Sequence, residues 1–370
     1  LSGALPTKTF GSKYLSEILD LCLGCKSCKS ECPSNVDMAK IKYESLYQYH
    51  KNHTIPLSSK LISYIHRMNS LSAPIAPLAN AVTRSLPVRI LLEWILGIDR
   101  SRPMPRVARQ TFQKWFENHR SREYNSRGKI ILFHDTFMNF NHPSIGIAVT
   151  RLLEALGFEV VVLKNRKCCG RPMISKGLLD QAGKNARHNV ELLLPYVQQG
   201  VKIVGCEASC ISAITDDWPD LLDGEKQSKE IADAVITIEE LLVETFGDGD
   251  QQIQWTDVAK KVQFFGHCHQ RTLTGTSKTM VALNFPPNYQ ATEISAGCCG
   301  MAGSFGYEKN HIDIASAAGE DRLFPAVRDS DPNVEIATSG VSCREQIGFN
   351  TQHHSRHVAE VLAEALTPND

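Results

Sequence analysis

The sequence is poor in the features by which several large protein classes are recognised. It has no apolar run long enough to span a bilayer: the longest, Val88 to Ile98 (VRILLEWILGI), is too short and carries Glu93. No charged segment followed by an apolar one stands at its start, so export is not expected. It begins at Leu1 rather than Met, and it reads as a piece of a longer polypeptide. Forty Lys and Arg against forty Asp and Glu leave no net charge and no global argument for nucleic acid. Neither a Ser-His-Asp set, a P-loop nor a G-x-G-x-x-G fingerprint is found, so hydrolase and NAD readings lack support. At 370 residues the chain is too long for one ordinary core, and two or three domains are expected.

What it does have is cysteine. Twelve are gathered in tight clusters and adjacent pairs of a large chain without a signal, which favours metal or redox chemistry in a reducing compartment over disulfides. The first cluster, LCLGCKSCKSECP, places Cys22, Cys25, Cys28, Cys32 and Pro33 in the C-x-x-C-x-x-C-x-x-x-C-P spacing of bacterial ferredoxins, and predicts a [4Fe–4S] cluster. Three thiolates two residues apart wrap one face of a cubane, whereas a tetrahedral zinc site would need only two C-x-x-C pairs. In two-cluster ferredoxins the fourth cysteine serves the other cluster. This chain has no second such run, so either Cys32 closes a single cluster or the partner motif lies upstream of Leu1.

Around that motif the chain divides into regions. Apolar residues at three- and four-residue spacing predict helices over Thr9 to Asp20, Asp37 to His50 and Lys60 to Met68, with Pro74, Pro77 and Pro87 interrupting the pattern afterwards. We assign 1–56 to an α-helical ferredoxin-like domain and 57–127 to a helical and basic connecting region. The stretch Arg100 to Arg127 carries eight Lys or Arg against Glu117 and Glu123 and reads as a solvated, linker-like face. From Gly128 short β-branched runs alternate with helical patterns: KIILF, FEVVVL and VKIVG, then KVQFF, ATEIS and VEIAT. This predicts an α/β fold with parallel sheets, in two halves at 128–250 and 251–370.

The halves share their chemistry. Cys168-Cys169-Gly170 recurs as Cys298-Cys299-Gly300, 130 positions on, and Ser209-Cys210 recurs as Ser342-Cys343 at an offset of 133. At that same offset Asp135 stands where Cys268 stands, which makes the first half degenerate. Cys268, Cys298, Cys299 and Cys343 come from loops after strands, where a parallel sheet collects ligands, and form a candidate second iron–sulfur site. His267 and His269 flank Cys268 as polar donors rather than ligands. In the first half Cys168, Cys169 and Cys210 need a fourth group, and Cys206, Glu207 or Asp135 could supply it. The alternative is a cluster-free half with buried, inert thiols.

These residues resemble the CCG-domain iron–sulfur proteins, which include the iron–sulfur subunits of glycolate oxidase and anaerobic glycerol-3-phosphate dehydrogenase and the cluster subunit of heterodisulfide reductase. LCLGCKSCKSECPSNVDMAK, GIDRSRPMPR, CCGRPMISKGLLD and GHCHQRTL look most like the C-terminal iron–sulfur part of long FAD-linked fusions similar to D-2-hydroxyglutarate and D-lactate dehydrogenases. The resemblance implies an oxidoreductase part that passes electrons from a flavin through [4Fe–4S] clusters to an acceptor such as a quinone or electron carrier. It also implies FAD on an upstream or separate flavin domain rather than on this chain, no nucleic-acid partner, and a location in the cytoplasm or peripheral on the inner face of the membrane. Two other readings follow from the cysteines: a thiol/disulfide reductase of the heterodisulfide reductase type, and a module stapled by zinc.

Overall fold

The computed structural model describes residues 7–120, 127–247 and 253–367. Its centre is a pair of four-stranded parallel sheets. The first contains β1 (Lys129–Leu132), β2 (Glu159–Val161), β3 (Ile203–Gly205) and β4 (Val235–Thr237), and the second β5 (Lys260–Phe265), β6 (Tyr289–Glu293), β7 (Glu335–Thr338) and β8 (Ser355–Arg356). Strand order is β2-β1-β3-β4 in one and β6-β5-β7-β8 in the other, so the duplication read from the cysteines is also a duplication of topology. The predicted α/β class with parallel sheets and a helical N-terminal region is what the chain adopts. The inner strands β1, β3, β5 and β7 are the apolar, mostly buried ones, as expected of parallel sheets covered by helices.

β4 and β8 were not expected. Each is only two or three residues long, Val-Ile-Thr and Ser-Arg, too short for a period-two pattern to show.

The halves close on a shared core. Ile130, Leu132 and Leu152 of the first half pack with Val262, Phe264, Val361 and Leu362 of the second, and the helices Pro143–Ala155 and Val358–Glu364 lie against each other inside it. Separate cores cover the outer faces. One joins the first half to Ala39 and Tyr43 of the N-terminal helix Met38–Asn52, and the other gathers Phe265, Leu323, Phe324 and Ile347 of the second half.

Two expectations for the connecting region are corrected. Pro77 and Pro87 do not break helices: each lies in the first turn of one, Ala76–Arg84 and Leu86–Leu96, where the missing N–H has no intrahelical acceptor to lose. The basic run is solvated at Arg100, Arg106, Arg109, Lys114 and Arg120, as expected, but it is not a linker. Thr111 caps the helix Phe112–Asn118 by accepting from the Lys114 N–H at 3.1 Å, and Phe112 is wholly buried in the shared core. Gly146 makes room for it, since a Cβ there would come within 2.4 Å of the Phe112 ring. Arg102 is buried as well. Of that run, Arg122 and Glu123 lie outside the described residues, as does the expected boundary at 250.

If this helix belongs to the core, Phe112→Ala should cost about 3–5 kcal/mol, the usual range for a buried aromatic, in urea unfolding of the full chain. A loss below about 1 kcal/mol would restore the linker reading.

Candidate functional site

The four-cysteine run is a loop and one short helix. Cys22 follows the helix Lys13–Asp20, Cys28 lies within the helix Ser27–Glu31, and Cys32 ends it. Left-handed backbone at Gly24 (φ 62°) and Lys26 (φ 64°) coils the segment between. The main chain offers donors to sulfur. The Met38 N–H donates to Cys28 Sγ at 3.2 Å, and the N–H groups of Val36 and Ser34, with help from Asn35, lower the Cys32 thiol pKa despite an opposing desolvation. Such donors favour a thiolate, the form that binds metal.

Lys26 anchors this loop. Its side chain is fully buried, and its ammonium contacts Asp216, donates to Asp217 Oδ1 at 2.7 Å and lies 3.6 Å from Asp37 Oδ2. Asp217 is shared with Arg171, at 2.8 Å, the residue directly after Cys168-Cys169-Gly170; Arg171 also contacts the Tyr43 hydroxyl. A π-helical turn, Ala213–Asp217, supplies both aspartates. Burial raises the Asp216 pKa, but the ammonium groups of Lys26, Lys29 and Lys40 outweigh it and hold the carboxyl well below the usual range. On the other side His269 Nε2 donates to the Gly24 carbonyl at 2.9 Å. The loop is thus clamped between the two halves.

The second-half cysteines stand on three segments that follow strands. Cys268 opens the helix Cys268–Leu273 after β5, Cys298 and Cys299 precede the left-handed Gly300, and Cys343 lies in the first turn of the helix Val341–Thr351. Cys268 contacts Cys298, Cys298 contacts Cys299, and Cys299 contacts Cys343. The Gly300 N–H donates to Cys298 Sγ at 3.3 Å. Hydrogen bonds from Cys268 and Cys299, with the Gly300 N–H, push Cys298 well below the ordinary thiol range against its burial. Gly300 cannot be replaced, because a Cβ would fall 1.9 Å from the Ala315 carbonyl oxygen. The helix Cys268–Leu273 packs on the helix Ser27–Glu31, so the N-terminal loop and this end of the second half are neighbours.

The first half brings together Cys168, Cys169 and Cys210, with Cys169 and Cys210 Sγ atoms 3.0 Å apart, and leaves Cys206 out. Cys206 packs into the shared core instead of the outer one that holds Cys168 and Cys169, and after burial itself its main influences are the charges of Glu239, Asp135 and Glu207. Asp135 does not stand in the place of Cys268. It caps the helix Thr136–Phe140, accepting from the Phe137 N–H at 2.8 Å, as His267 accepts from the His269 N–H at 3.2 Å. By this role Asp135 matches His267, and Thr136 matches Cys268. Burial, then the Glu207 charge, raise the Asp135 pKa to about 6. Glu207 points to the second half, where its Oε2 accepts from the Val341 N–H at 2.8 Å.

The donors suit iron–sulfur chemistry in two places. The N-terminal run and the second-half group each supply four thiols with amide donors at sulfur, whereas the first half supplies three. Among the described residues no three His, Cys, Asp or Glu side chains are grouped as ligands of a single metal ion.

Residues 131–215 match the family described as the cysteine-rich domain, CCG. Against a subunit of the anaerobic glycerol-3-phosphate dehydrogenase of Escherichia coli strain K12 the chain is 30% identical over 336 residues, covering 90% of this chain and 83% of that protein. The chain belongs to the CCG family. It is also 25% identical over 367 residues to D-2-hydroxyglutarate dehydrogenase of the same strain, spanning 96% of this chain and 35% of that protein. To the glycolate oxidase iron–sulfur subunit of that strain it is 22% identical over 381 residues, spanning 95% of this chain and 82% of that protein. The matched CCG segment lies in the half that groups three of its four cysteines and leaves Cys206 apart, and the second half lies outside that match.

Sequence reasoning missed the residues that hold the site. Lys26 inside the cysteine run carries no pattern announcing burial, and Asp216 and Asp217 are an ordinary acidic pair until the π turn aims them. Arg171 did carry a signal, its place directly after a C-C-G triplet. Lys26→Met should cost about 3–5 kcal/mol in urea unfolding, because it strands buried carboxylates, while Lys13→Met, removing an exposed pair with Glu17, should cost less than about 1 kcal/mol. Equal costs would mean that the loop is held by something other than Lys26.

Proposed function

We propose that the chain is the iron–sulfur electron-transfer part of a flavin-linked dehydrogenase acting on a hydroxylated small acid or polyol phosphate. In this reading Cys22, Cys25, Cys28 and Cys32 hold a [4Fe–4S] cluster, and Cys268, Cys298, Cys299 and Cys343 hold a second. The observation that carries it is the packing of the helix that Cys268 opens against the helix that carries Cys28, with the Gly24 carbonyl tied to His269 at 2.9 Å. Such clusters supply one-electron steps at potentials set by charge, burial and hydrogen bonds to sulfur. The residues of the chain do the rest: Met38, Val36, Ser34 and Gly300 offer N–H groups to sulfur, and Lys26, His269 and Arg171 fix the loop relative to both halves. The named relatives are dehydrogenase or oxidase proteins, which supports a flavin partner, on a separate chain or an upstream domain, that delivers two electrons to be passed on singly.

Anaerobically prepared protein should contain iron and acid-labile sulfide and show visible absorption bleached by dithionite; stoichiometric zinc without sulfide would sink the reading. Cys268→Ser should remove about one cluster's share of iron and Asp135→Asn little, by iron counting and low-temperature EPR. Equal losses would give the first half an oxygen-ligated cluster. Substrate oxidation with a dye acceptor should require an added flavin component.

We further propose that the chain works peripherally on the cytoplasmic face of a membrane. No described helix is long and apolar enough to cross one. Yet the helices Ile65–Ser72, Ala76–Arg84 and Leu86–Leu96 leave Leu71, Leu78, Leu86, Ile90, Leu91 and Trp94 in solvent, Leu71 at 78% and Trp94 at 84% exposure. Lys60, Arg67 and Arg84 are exposed on the same segment, and its one acid, Glu93, is buried and paired with Arg100 and Lys309. An apolar face bordered by cations fits anionic headgroups. The full chain should cosediment with phosphatidylglycerol-containing vesicles, less so in high salt, and Trp94→Ser with Leu91→Ser should abolish it. Binding unchanged in that variant, or no binding with dimers that the variant dissociates, would refute the membrane assignment.

A further inference from the structure

Arg102, from the GIDRSRPMPR segment, is a buried cation packed against residues that closely follow the second-half cysteines in the chain. The connecting chain delivers it there by pairing with the second half: Ile98 bridges to Glu308, and the Asp99 N–H donates to the Tyr307 carbonyl at 2.7 Å. Its side chain is 3% exposed in a slot between two rings, with the guanidinium carbon 4.3 Å from the centre of Phe349 and 5.0 Å from that of Tyr307. Nη2 contacts Gln346 Oε1 and lies 3.4 Å from Met301 Sδ, two residues after Cys299, while Nη1 is buried without a hydrogen-bond partner. Gln346 in turn is three residues after Cys343 and donates to the Ala315 carbonyl, the group that excludes any side chain at Gly300. Among the described residues no carboxylate forms an ion pair with Arg102, although the Tyr307 hydroxyl, Glu345 and the Cys299 sulfur act on it from nearby.

A guanidinium out of water without a carboxylate is costly, and a chain keeps one where an anion is to be met. We propose that Arg102 is the countercharge of the second-half centre and raises its reduction potential. The inference rests on the reading that Cys268, Cys298, Cys299 and Cys343 hold a cluster. Adding an electron makes such a centre more negative, and a fixed cation in a low-dielectric surround favours that form. Arg102 is a positioning residue in this role: it touches no reacting atom and acts through charge.

The test uses the full chain, reconstituted anaerobically with iron and sulfide, as wild type, Arg102→Gln and Arg102→Lys, in EPR-monitored redox titrations. With iron and sulfide content unchanged, Arg102→Gln should lower the reduced-to-oxidised ratio of the second-half signal at least tenfold at fixed potential, about 59 mV for a one-electron couple. The N-terminal signal should not move, and Arg102→Lys should stay within threefold of wild type. A ratio within twofold of wild type in fully loaded Arg102→Gln overturns the inference. Loss of second-half iron in both variants overturns it too, since the residue would then serve packing. A wild type without any second-half signal refutes the underlying reading as well, and its iron count separates that failure from the others.

Discussion

The site depends on a buried ammonium. Lys26 reaches from the middle of the cysteine run to Asp216 and Asp217 of the first half, and the loop's other side is pinned by His269 of the second. Burying a lysine is unfavourable unless its charge is met, so this contact exists only when loop, π turn and Asp37 are all in place. The arrangement makes the position of four thiols conditional on the closure of the whole chain. A separate ferredoxin-like domain could not be cut away from it without leaving carboxylates stranded.

Closure also explains why the connecting region is not a tether. Phe112 fills the shared core and Arg102 enters the second half, so the segment read as basic and solvated contributes one side chain to each of two buried places. Composition misled here because long cationic side chains are usually on the surface, and nothing in a single sequence marks the one that is not. Arg100 and Arg106 conform to the average; Arg102 does not.

Much of the architecture was nevertheless legible. Apolar runs alternating with helical patterns located six of the strands, and the cysteine pairs exposed the duplication before any topology was known. The placement of the second-half cysteines after strands was readable from the same alternation. Cys206 was not, since in G-C-E-A-S-C two cysteines four apart sit on either side of a helix cap and go to different cores. Counting offsets also placed Asp135 one residue away from its true counterpart, because a cap position is a matter of backbone geometry that residue identity conceals.

Glu207 and Gly340 occupy equivalent places in the repeat, and the difference between them binds the halves together. A side chain at 340 would strike the His267 ring at 2.2 Å, so the second half keeps glycine there and leaves the first amide of the Cys343 helix without a cap of its own. Glu207 supplies that cap from across the interface at 2.8 Å. What began as two copies of one unit has become a pair in which one copy completes the other, and neither half is any longer an exchangeable module.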